Sequence, residues 1–264
     1  GYSERELCEA GLAKQGRRGG VYDAFRNRLM FPVIDVRGNV VAFSGRILGD
    51  GEPKYLNSPD TLVFSKSHNL FGLNLAKKSK SGYIILVEGN IDVVSLHQAG
   101  FDSAVASLGT SLTPEQARLI SRFKQEVVIA YDADEAGKKA AQRAIGILEK
   151  LELKVRVLTV RGAKDPDEFI KKYGTERFAM LLDNSRNPVE FELSKLRTTY
   201  DTAQADGKVG YLKEACKLFA GIRNPVEREV YITQTANELA ISPQAIKALS
   251  LIHISEPTRL ALIS

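Results

Sequence analysis

Three carboxylate side chains stand directly after apolar runs that have the length of β-strands. Glu88 follows the run 83–87, and Asp132 and Asp134 follow the run 127–131. In an open parallel sheet the carboxyl ends of the strands form the edge where ligands bind, and neighbouring strands lie about 4.8 Å apart. If the two runs form neighbouring strands, the three carboxylates meet at one edge of the sheet.

Clustered carboxylates without histidine or cysteine suit hard divalent cations. Mg²⁺ keeps several water molecules and takes one or two protein carboxylates together with substrate phosphates. The sequence therefore predicts a Mg²⁺ site, with Mn²⁺ as the alternative metal, and phosphoryl-transfer chemistry. Asp92 lies one helical turn beyond Glu88, and Asp165 and Asp167 follow a third apolar run, so these three are candidates for further metal contacts.

Strand-end carboxylates also have a simpler interpretation, in which each one caps the helix that follows it. For a single residue this is the more common case. The combination favours a metal site, because a Glu-Gly pair and an Asp-x-Asp-x-x-Gly pattern each follow an apolar run.

Composition excludes several other classes of protein. The 264 residues are 44% hydrophobic and 26% charged, which is typical of a folded globular protein. No apolar run reaches the roughly 18 residues that a membrane span needs, and the N-terminal residues contain no secretory signal, so we expect a cytoplasmic protein with no membrane partner. Cys8 and Cys216 are far apart and the three histidines are unclustered, so we expect neither a disulfide framework nor a zinc site.

The elements that must position the acidic residues form an α/β pattern. Short apolar runs alternate with helical stretches through residues 81–185, which predicts a mainly parallel sheet flanked by helices. One of those helices has a marked start, because Thr113, Pro114 and Gln116 form a capping box with proline at the first helical position. Residues 186–250 show helical signals only and predict a helical bundle, and residues 251–264 are an unassigned tail.

The first third of the chain is basic and differs in pattern. Residues 1–80 contain 13 basic and 8 acidic residues, whereas residues 81–264 contain 24 of each. The apolar runs 31–36 and 40–44 flank a turn and predict a β-hairpin in a small α+β subdomain, and residues 45–66 are expected to be mostly loop. A local basic surplus is typical of a surface that binds a polyanion, although an ordinary solvated surface explains the charge alone equally well.

The strand-Glu88-Gly89 and strand-Asp132-Ala133-Asp134 pair resembles the Toprim domain, which DnaG-type primases, topoisomerases, OLD-type nucleases and RecR share. Three further stretches narrow the resemblance to the RNA polymerase core of bacterial DnaG-type DNA primases. They are Phe25-Arg26-Asn27-Arg28-Leu29-Met30-Phe31-Pro32, Pro53-Lys54-Tyr55-Leu56-Asn57-Ser58-Pro59 and Ala106-Ser107-Leu108-Gly109-Thr110. The resemblance extends from about residue 3 to about residue 250.

The resemblance implies a nucleotidyltransferase that makes short RNA primers on single-stranded DNA from ribonucleoside triphosphates, at the bacterial replication fork. It implies catalytic and metal-binding roles for Glu88, Asp132 and Asp134, with Asp92, Asp165 and Asp167 as neighbouring metal-site positions. A basic surface for template and nucleotides then maps onto the following positions: Arg26, Arg28, Arg46, Lys54, Asn57 and Lys66.

Parts of the family pattern are not found in the sequence. We expect the zinc-ribbon domain and the beginning of the polymerase core to be missing, and hence no zinc in this chain. We also expect the helicase-binding domain to be missing, so that only the full-length parent protein binds the replicative helicase. Two other functions remain open: a Toprim-type nuclease or topoisomerase-like enzyme, and a module that binds single-stranded nucleic acid without catalysis.

Overall fold

The structure, a computed structural model, describes residues 1–222 and 224–255. The chain divides into two units, residues 1–186 and residues 187–264. The predicted boundaries at residues 80, 185 and 250 stay predictions. No helix of the described residues is both long and apolar enough to cross a membrane.

The first unit begins with one short helix and two small antiparallel sheets. Its elements are α1 (Glu4–Glu9), β1 (Ala13–Gln15), β2 (Val21–Asp23), β3 (Arg28–Ile34), β4 (Val40–Ile47) and β5 (Tyr55–Asn57). β3 and β4 pair antiparallel, which confirms the predicted hairpin. β4 continues to Ile47 and pairs with β5, so residues 45–66 are mostly loop, as expected, with two short strand stretches within that segment. Cross-strand pairing gives β5 the stability that its local sequence, rich in turn-forming residues, does not predict.

A four-stranded parallel sheet with helices forms the rest of this unit. Its elements are α2 (Leu73–Ala76), β6 (Tyr83–Val87), α3 (Asn90–Gln98), β7 (Ala104–Ala106), α4 (Pro114–Ser121), β8 (Glu126–Ile129), α5 (Glu135–Glu149), β9 (Lys154–Val157), α6 (Pro166–Tyr173) and α7 (Thr175–Asp183). The strand order is β7-β6-β8-β9, and all three pairings are parallel. The α/β fold class is therefore confirmed.

β6 and β8 are apolar throughout their centres because helices cover both faces of a parallel sheet. Ile84 to Val87 and Val127 to Ile129 have no solvent exposure. The register pairs Tyr83 with Glu126 and Leu86 with Ile129, so the two strands end side by side. This arrangement places the residues that follow β6 next to those that follow β8.

The second unit is helical, as predicted for residues 186–250. It contains α8 (Pro188–Thr199), α9 (Ala205–Gly221), α10 (Pro225–Leu239) and α11 (Pro243–Ser255). Tyr211, Phe219 and Ile232 belong to its buried core. α11 extends into the segment that the sequence left unassigned, and the part of that tail from residue 256 onward lies outside the described residues.

Candidate active site

Glu88 and Asp132 meet at the carboxyl edge of the parallel sheet. Glu88 is the first residue after β6, and Asp132 comes three residues after β8 ends. The backbone N–H of Asp132 donates a hydrogen bond of 3.1 Å to Glu88 Oε1. The structure thus brings together the two strand ends that the sequence predicted to converge.

Gly137 is required for this close approach. A Cβ atom at this position would lie 2.2 Å from the carbonyl oxygen of Asp132 and 2.9 Å from Glu88 Oε1. Real Cβ atoms do not approach other atoms so closely, so any other residue would displace the Asp132 backbone or the Glu88 carboxylate. The glycine of the Asp-x-Asp-x-x-Gly pattern therefore lets α5 begin directly beneath the two acidic residues.

Two of the candidate carboxylates do cap the following helices. Asp134 Oδ1 accepts a hydrogen bond of 2.8 Å from Gly137 N–H at the start of α5, and Asp165 Oδ1 accepts one of 2.8 Å from Glu168 N–H at the start of α6. The capping interpretation is correct for both residues. Each bond uses one oxygen of a carboxylate that has two, so capping orients the side chain and leaves the second oxygen for a ligand.

A third strand end contributes to the same edge through the loop before α6. β9 lies beside β8, and the carbonyl oxygen of Lys164 accepts a hydrogen bond of 2.9 Å from Ala133 N–H. This bond joins the β9–α6 loop to the loop that carries Asp132 and Asp134. Asp165 therefore lies close enough to Asp132 for its charge to raise the pKa of that carboxyl.

Asp92 and Asp167 lie on the helices behind the strand ends. Asp92 is 8% exposed, and its Oδ2 accepts a hydrogen bond of 3.2 Å from Gly89 N–H. Asp167 accepts a hydrogen bond from the Ser95 hydroxyl on α3 and pairs with Lys171 at 2.7 Å. Asp167 is thus engaged with α3 and with its own helix, α6, whereas Asp92 lies within reach of the charges of Asp165 and Asp132.

Burial and mutual repulsion raise the pKa values of three carboxyl groups at the edge. The pKa of Glu88 is raised by burial and then by the charges of Asp132 and Asp134. Burial raises the pKa of Asp132 as well, and the charge of Asp165 adds to it. The pKa of Asp92 rises to about 7 because of burial and the charges of Asp165 and Asp132. The edge therefore holds negative charge that the described protein groups do not fully balance.

Two lysines that partly balance this charge come from different parts of the first unit. The charge of Lys164 lowers the pKa values of Glu88 and Asp132, and the charge of Lys54 lowers that of Asp132. Lys54 was among the predicted nucleotide- or template-binding residues. Lys164 was missed, although it stands directly before the Asp165-Pro166-Asp167 segment that the sequence did single out.

The other predicted basic residues have distinct surroundings. Arg46 Nη1 donates a hydrogen bond of 2.9 Å to the Tyr55 hydroxyl, and its guanidinium lies 5.5 Å from the centre of the Tyr55 ring. Burial raises the pKa of Tyr55, Arg46 lowers it, and the charges of Asp92 and Asp165 raise it further, which places this pair near the acidic edge. Arg28 instead donates to the Gly45 carbonyl at 3.0 Å and so braces β3 against β4.

Arg26, Asn57 and Lys66 make their contacts with residues other than the acidic ones of the edge. Arg26 lies over the Tyr22 ring at 5.0 Å. The Asn57 amide donates a hydrogen bond of 3.2 Å to the Leu108 carbonyl. Lys66 N–H donates to Asp60 at 3.0 Å, and its carbonyl accepts a bond from Gln116.

The donor set at the edge fits a hard divalent cation but does not form a closed cage. Among the described residues, no three His, Cys, Asp or Glu side chains are arranged to hold a metal ion by themselves. Mg²⁺ does not require such a cage, because it commonly binds through one or two carboxylates together with water and substrate phosphates. Oxygen-only donors and raised carboxyl pKa values both agree with that mode of binding.

Three family models match successive parts of the chain. The model of the N-terminal domain of the DNA primase catalytic core matches residues 1–77, and the Toprim-like model matches residues 85–170. The model of the DnaB-helicase binding domain of primase matches residues 189–244. The expectation that a helicase-binding domain is missing is therefore wrong; the sequence identified this stretch only as a helical bundle, because its helix periodicity carries no signature of a partner.

Known proteins with related sequences and structures are DNA primases. The DNA primase of Clostridium acetobutylicum is 43% identical over 247 residues, which are 93% of this chain and 41% of that protein. The RNA polymerase domain of Mycobacterium tuberculosis primase DnaG, solved with double-stranded DNA, is 33% identical with a TM-score of 0.82, over 92% of this chain and 79% of that one. A DnaG primase catalytic domain bound to single-stranded DNA is 34% identical with a TM-score of 0.72, over 89% of this chain and 76% of that one. The chain spans about two-fifths of the length of the curated relative.

Proposed function

The chain belongs to the bacterial DNA primase family, and from this premise we propose that it carries the primer-synthesising centre of such an enzyme. The reaction is template-directed nucleotidyl transfer, in which ribonucleoside triphosphates are joined into a short RNA on single-stranded DNA. One observation carries the proposal: the carboxylates after β6 and β8 lie together, and Lys54 of the basic first third lies within electrostatic reach of them.

The proposed division of roles follows from the charges. Glu88, Asp132 and Asp134 would hold divalent metal, and Asp92 and Asp165 keep the local potential negative. When bound, the metal ions would activate the primer 3′-hydroxyl and stabilise the leaving pyrophosphate. The protein's own task is to hold these carboxylates in place, which the Asp132–Glu88 hydrogen bond and the cap of α5 support.

The basic residues have a separate role in this proposal. Lys54 is exposed, and Arg46 is fixed against Tyr55, so both can bind phosphate oxygens of the template or the nucleotide. Contacts of this kind position nucleic acid without reading its sequence. The related catalytic domain that was solved with single-stranded DNA supports single-stranded DNA as the template.

A primer-synthesis assay tests the catalytic proposal. The chain is incubated with single-stranded DNA, labelled ribonucleotides and Mg²⁺ or Mn²⁺, and RNA products are resolved by size. Glu88→Gln and Asp132→Asn should each lower the rate by at least about a hundredfold, because an amide loses the anionic oxygen that binds metal. Asp183→Asn, on an exposed residue at the end of α7, is the matched control and should be unaffected.

Two results would contradict the proposal. Full activity in Glu88→Gln or Asp132→Asn, with folding confirmed by circular dichroism, would exclude these residues from the reaction. Mg²⁺-dependent nicking of plasmid DNA without nucleotides, and no RNA product, would instead favour a Toprim-type nuclease.

We also propose that the second unit binds the replicative helicase. The family-model match over residues 189–244 supports this. Val226 and Val230 lie one turn apart on α10 and are 70% and 56% exposed, which makes them candidate anchors for a partner.

Val226→Glu combined with Val230→Glu should weaken co-sedimentation of the chain with the helicase by at least about tenfold. Val209→Glu on α9 is the matched control, and equal loss in both variants would contradict a contact through α10.

A further inference from the structure

Two adjacent apolar side chains stand in solvent on the connection between β5 and α2. Leu62 is 98% exposed and Val63 is 72% exposed, and we call this pair the apolar tip. No large apolar side chain among the described residues is more exposed than Leu62. A single exposed leucine is ordinary, because more than half of a protein's surface is apolar. Two adjacent ones on the same turn contribute little to the folded core, since neither is buried, and so they are available to a partner.

Hydrogen bonds and one buried anchor hold this turn in shape. Thr61 N–H donates to the Phe64 carbonyl at 2.8 Å, and Phe64 N–H donates back to the Thr61 carbonyl at 3.4 Å. Asp60 Oδ1 accepts a hydrogen bond of 3.0 Å from Lys66 N–H, which closes the loop around the turn. Phe64 is 3% exposed and belongs to a core cluster that includes Leu108. The apolar tip is thus presented by an ordered loop, so binding to it costs little conformational entropy.

The same connection is hydrogen-bonded to a loop beside the acidic edge. The Asn57 amide, just before the connection, donates to the Leu108 carbonyl at 3.2 Å. The Thr113 hydroxyl donates to the Ser67 carbonyl at 2.6 Å. Both bonds involve the β7–α4 segment, and residues of that segment line one cavity together with Glu88. The apolar tip therefore lies on a loop that is joined to one wall of the proposed catalytic edge.

The size of the apolar tip indicates what kind of partner it fits. Along the chain it is flanked by Asp60 and Thr61 on one side and, beyond the buried Phe64, by Ser65 and Lys66 on the other. Two side chains in polar surroundings cover far less than the roughly 800 Å² per partner that a stable protein–protein interface buries. The face of a nucleobase is a small apolar surface, and leucine is among the side chains that proteins place against or between bases. An unpaired base therefore fits the apolar tip better than a protein surface does.

We propose that the apolar tip packs against an unpaired base of the single-stranded template and so helps to position the template beside the catalytic edge. The inference rests on the proposed function, because it adds a contact to the same template. Bases of a duplex are stacked on one another and offer such a contact only after they are unstacked. Lys66, four residues beyond Leu62, offers a positive charge to a neighbouring phosphate, so one loop contacts both the base and the backbone. The two apolar side chains take no part in the chemistry.

Binding of a labelled single-stranded oligonucleotide to the full chain tests the inference without nucleotides or catalysis. Leu62→Ser combined with Val63→Ser, the tip variant, should bind at least about fivefold more weakly, because apolar contact with the base is lost. The slope of log affinity against log salt should stay unchanged, because the tip variant removes no charge. Leu75→Ser combined with Val40→Ser makes the same two exchanges at side chains that are each 54% exposed. This matched control should bind as the wild type does.

An oligonucleotide of the same length with abasic sites throughout separates base contacts from phosphate contacts. It keeps every phosphate, so the wild type and the tip variant should bind it within about twofold of each other. This pair of results would support the inference even if the wild type makes no RNA, an outcome that would contradict only the proposed function.

Three results would overturn the inference. The first is an unchanged affinity for the ordinary oligonucleotide in a tip variant whose folding is confirmed by circular dichroism. The second is an equal loss of affinity for the ordinary and the abasic oligonucleotide. The third is a change confined to the sedimentation velocity of the chain without DNA, which would assign the apolar tip to contacts between copies of this chain.

Discussion

At the scale of single residues, the fold holds the carboxylates of the acidic edge close together although their negative charges repel one another. Asp92 shows the effect of burial and repulsion most clearly, because its pKa rises to about 7 from an ordinary value of 3.8. The folded protein holds this proton more tightly than the unfolded chain does, so unfolding between about pH 4 and about pH 7 releases a proton. Stability from this residue is therefore fully present at about pH 4 and declines as the pH rises through that window.

Asp92→Asn should remove this decline. The amide stays neutral at every pH, and its carbonyl oxygen can still accept the Gly89 hydrogen bond. In EDTA, we expect the free energy of unfolding to rise by about 1–3 kcal/mol at about pH 8 and to stay unchanged at about pH 4. Urea unfolding at both pH values measures it. A variant that is less stable than the wild type at about pH 8 would contradict the expected repulsion.

Gly137 gives a second prediction at this scale, with an internal control on the same helix. Gly137→Ala should lower the free energy of unfolding by about 1–3 kcal/mol and abolish primer synthesis, because the new Cβ would lie 2.2 Å from the Asp132 carbonyl oxygen. Gly146→Ala on α5 has nothing within 4 Å of its added Cβ and should stabilise the protein by about 0.5–1 kcal/mol. Equal effects at the two positions would show that helix propensity, and not crowding at the site, determines the outcome.

At the scale of elements, α4 is hydrogen-bonded to the connection between β5 and α2. Its N-terminus has the predicted capping box between Thr113 and Gln116. Gln116 is completely buried and donates hydrogen bonds of 2.9 and 2.8 Å to the carbonyl oxygens of Lys66 and Asn69. The side chain that helps to cap the helix therefore also joins the β5–α2 connection to α4.

Gln116→Met should lower the free energy of unfolding by about 2–4 kcal/mol, because it keeps the size of the side chain but leaves two partly buried carbonyl groups without a donor. Gln98→Met, on the exposed end of α3, is the matched control and should change stability by less than about 0.5 kcal/mol. Denaturant midpoints of the two variants test this. A similarly small effect at Gln116 would mean that water replaces both hydrogen bonds.

The elements also show where sequence patterns suffice and where they do not. Strands β6 and β8 and helices α5 and α6 were predictable, because apolar runs and strong caps such as Asp134 and Asp165 mark them locally. β7 was missed because Ala104–Ala106 is too short and too small to resemble a strand, and only pairing with β6 makes it one. α7 was missed because only Gly174 separates it from α6, and this N-cap residue has no side chain that could mark the start of the helix.

At the scale of the whole molecule, the structure shows that part of the basic surplus of residues 1–80 lies near the acidic edge of the parallel sheet. The sequence placed this surplus on one part of the chain but could not say which acidic groups it faces, because that depends on how β4 and β5 lie beside the parallel sheet. Through-space charge effects now link Lys54 to Asp132, and they link Tyr55, the partner of Arg46, to Asp92 and Asp165. Lys164 could not be identified from spacing for the same reason, since it matters only through its neighbours in space.

Because basic residues lie near the acidic edge, we can predict how their replacement changes the salt dependence of single-stranded DNA binding. If Lys54 contacts a template phosphate, Lys54→Ala should weaken binding of a single-stranded oligonucleotide and reduce the slope of log affinity against log salt by about 0.7. Arg46→Ala should have a similar effect on the slope and an added loss of affinity, because Tyr55 loses the guanidinium that lies over its ring. Fluorescence anisotropy across a salt series measures both quantities. Lys150→Ala at the exposed end of α5 is the control with the same change of charge, and identical slopes in all three variants would mean that the surplus is an ordinary solvated surface.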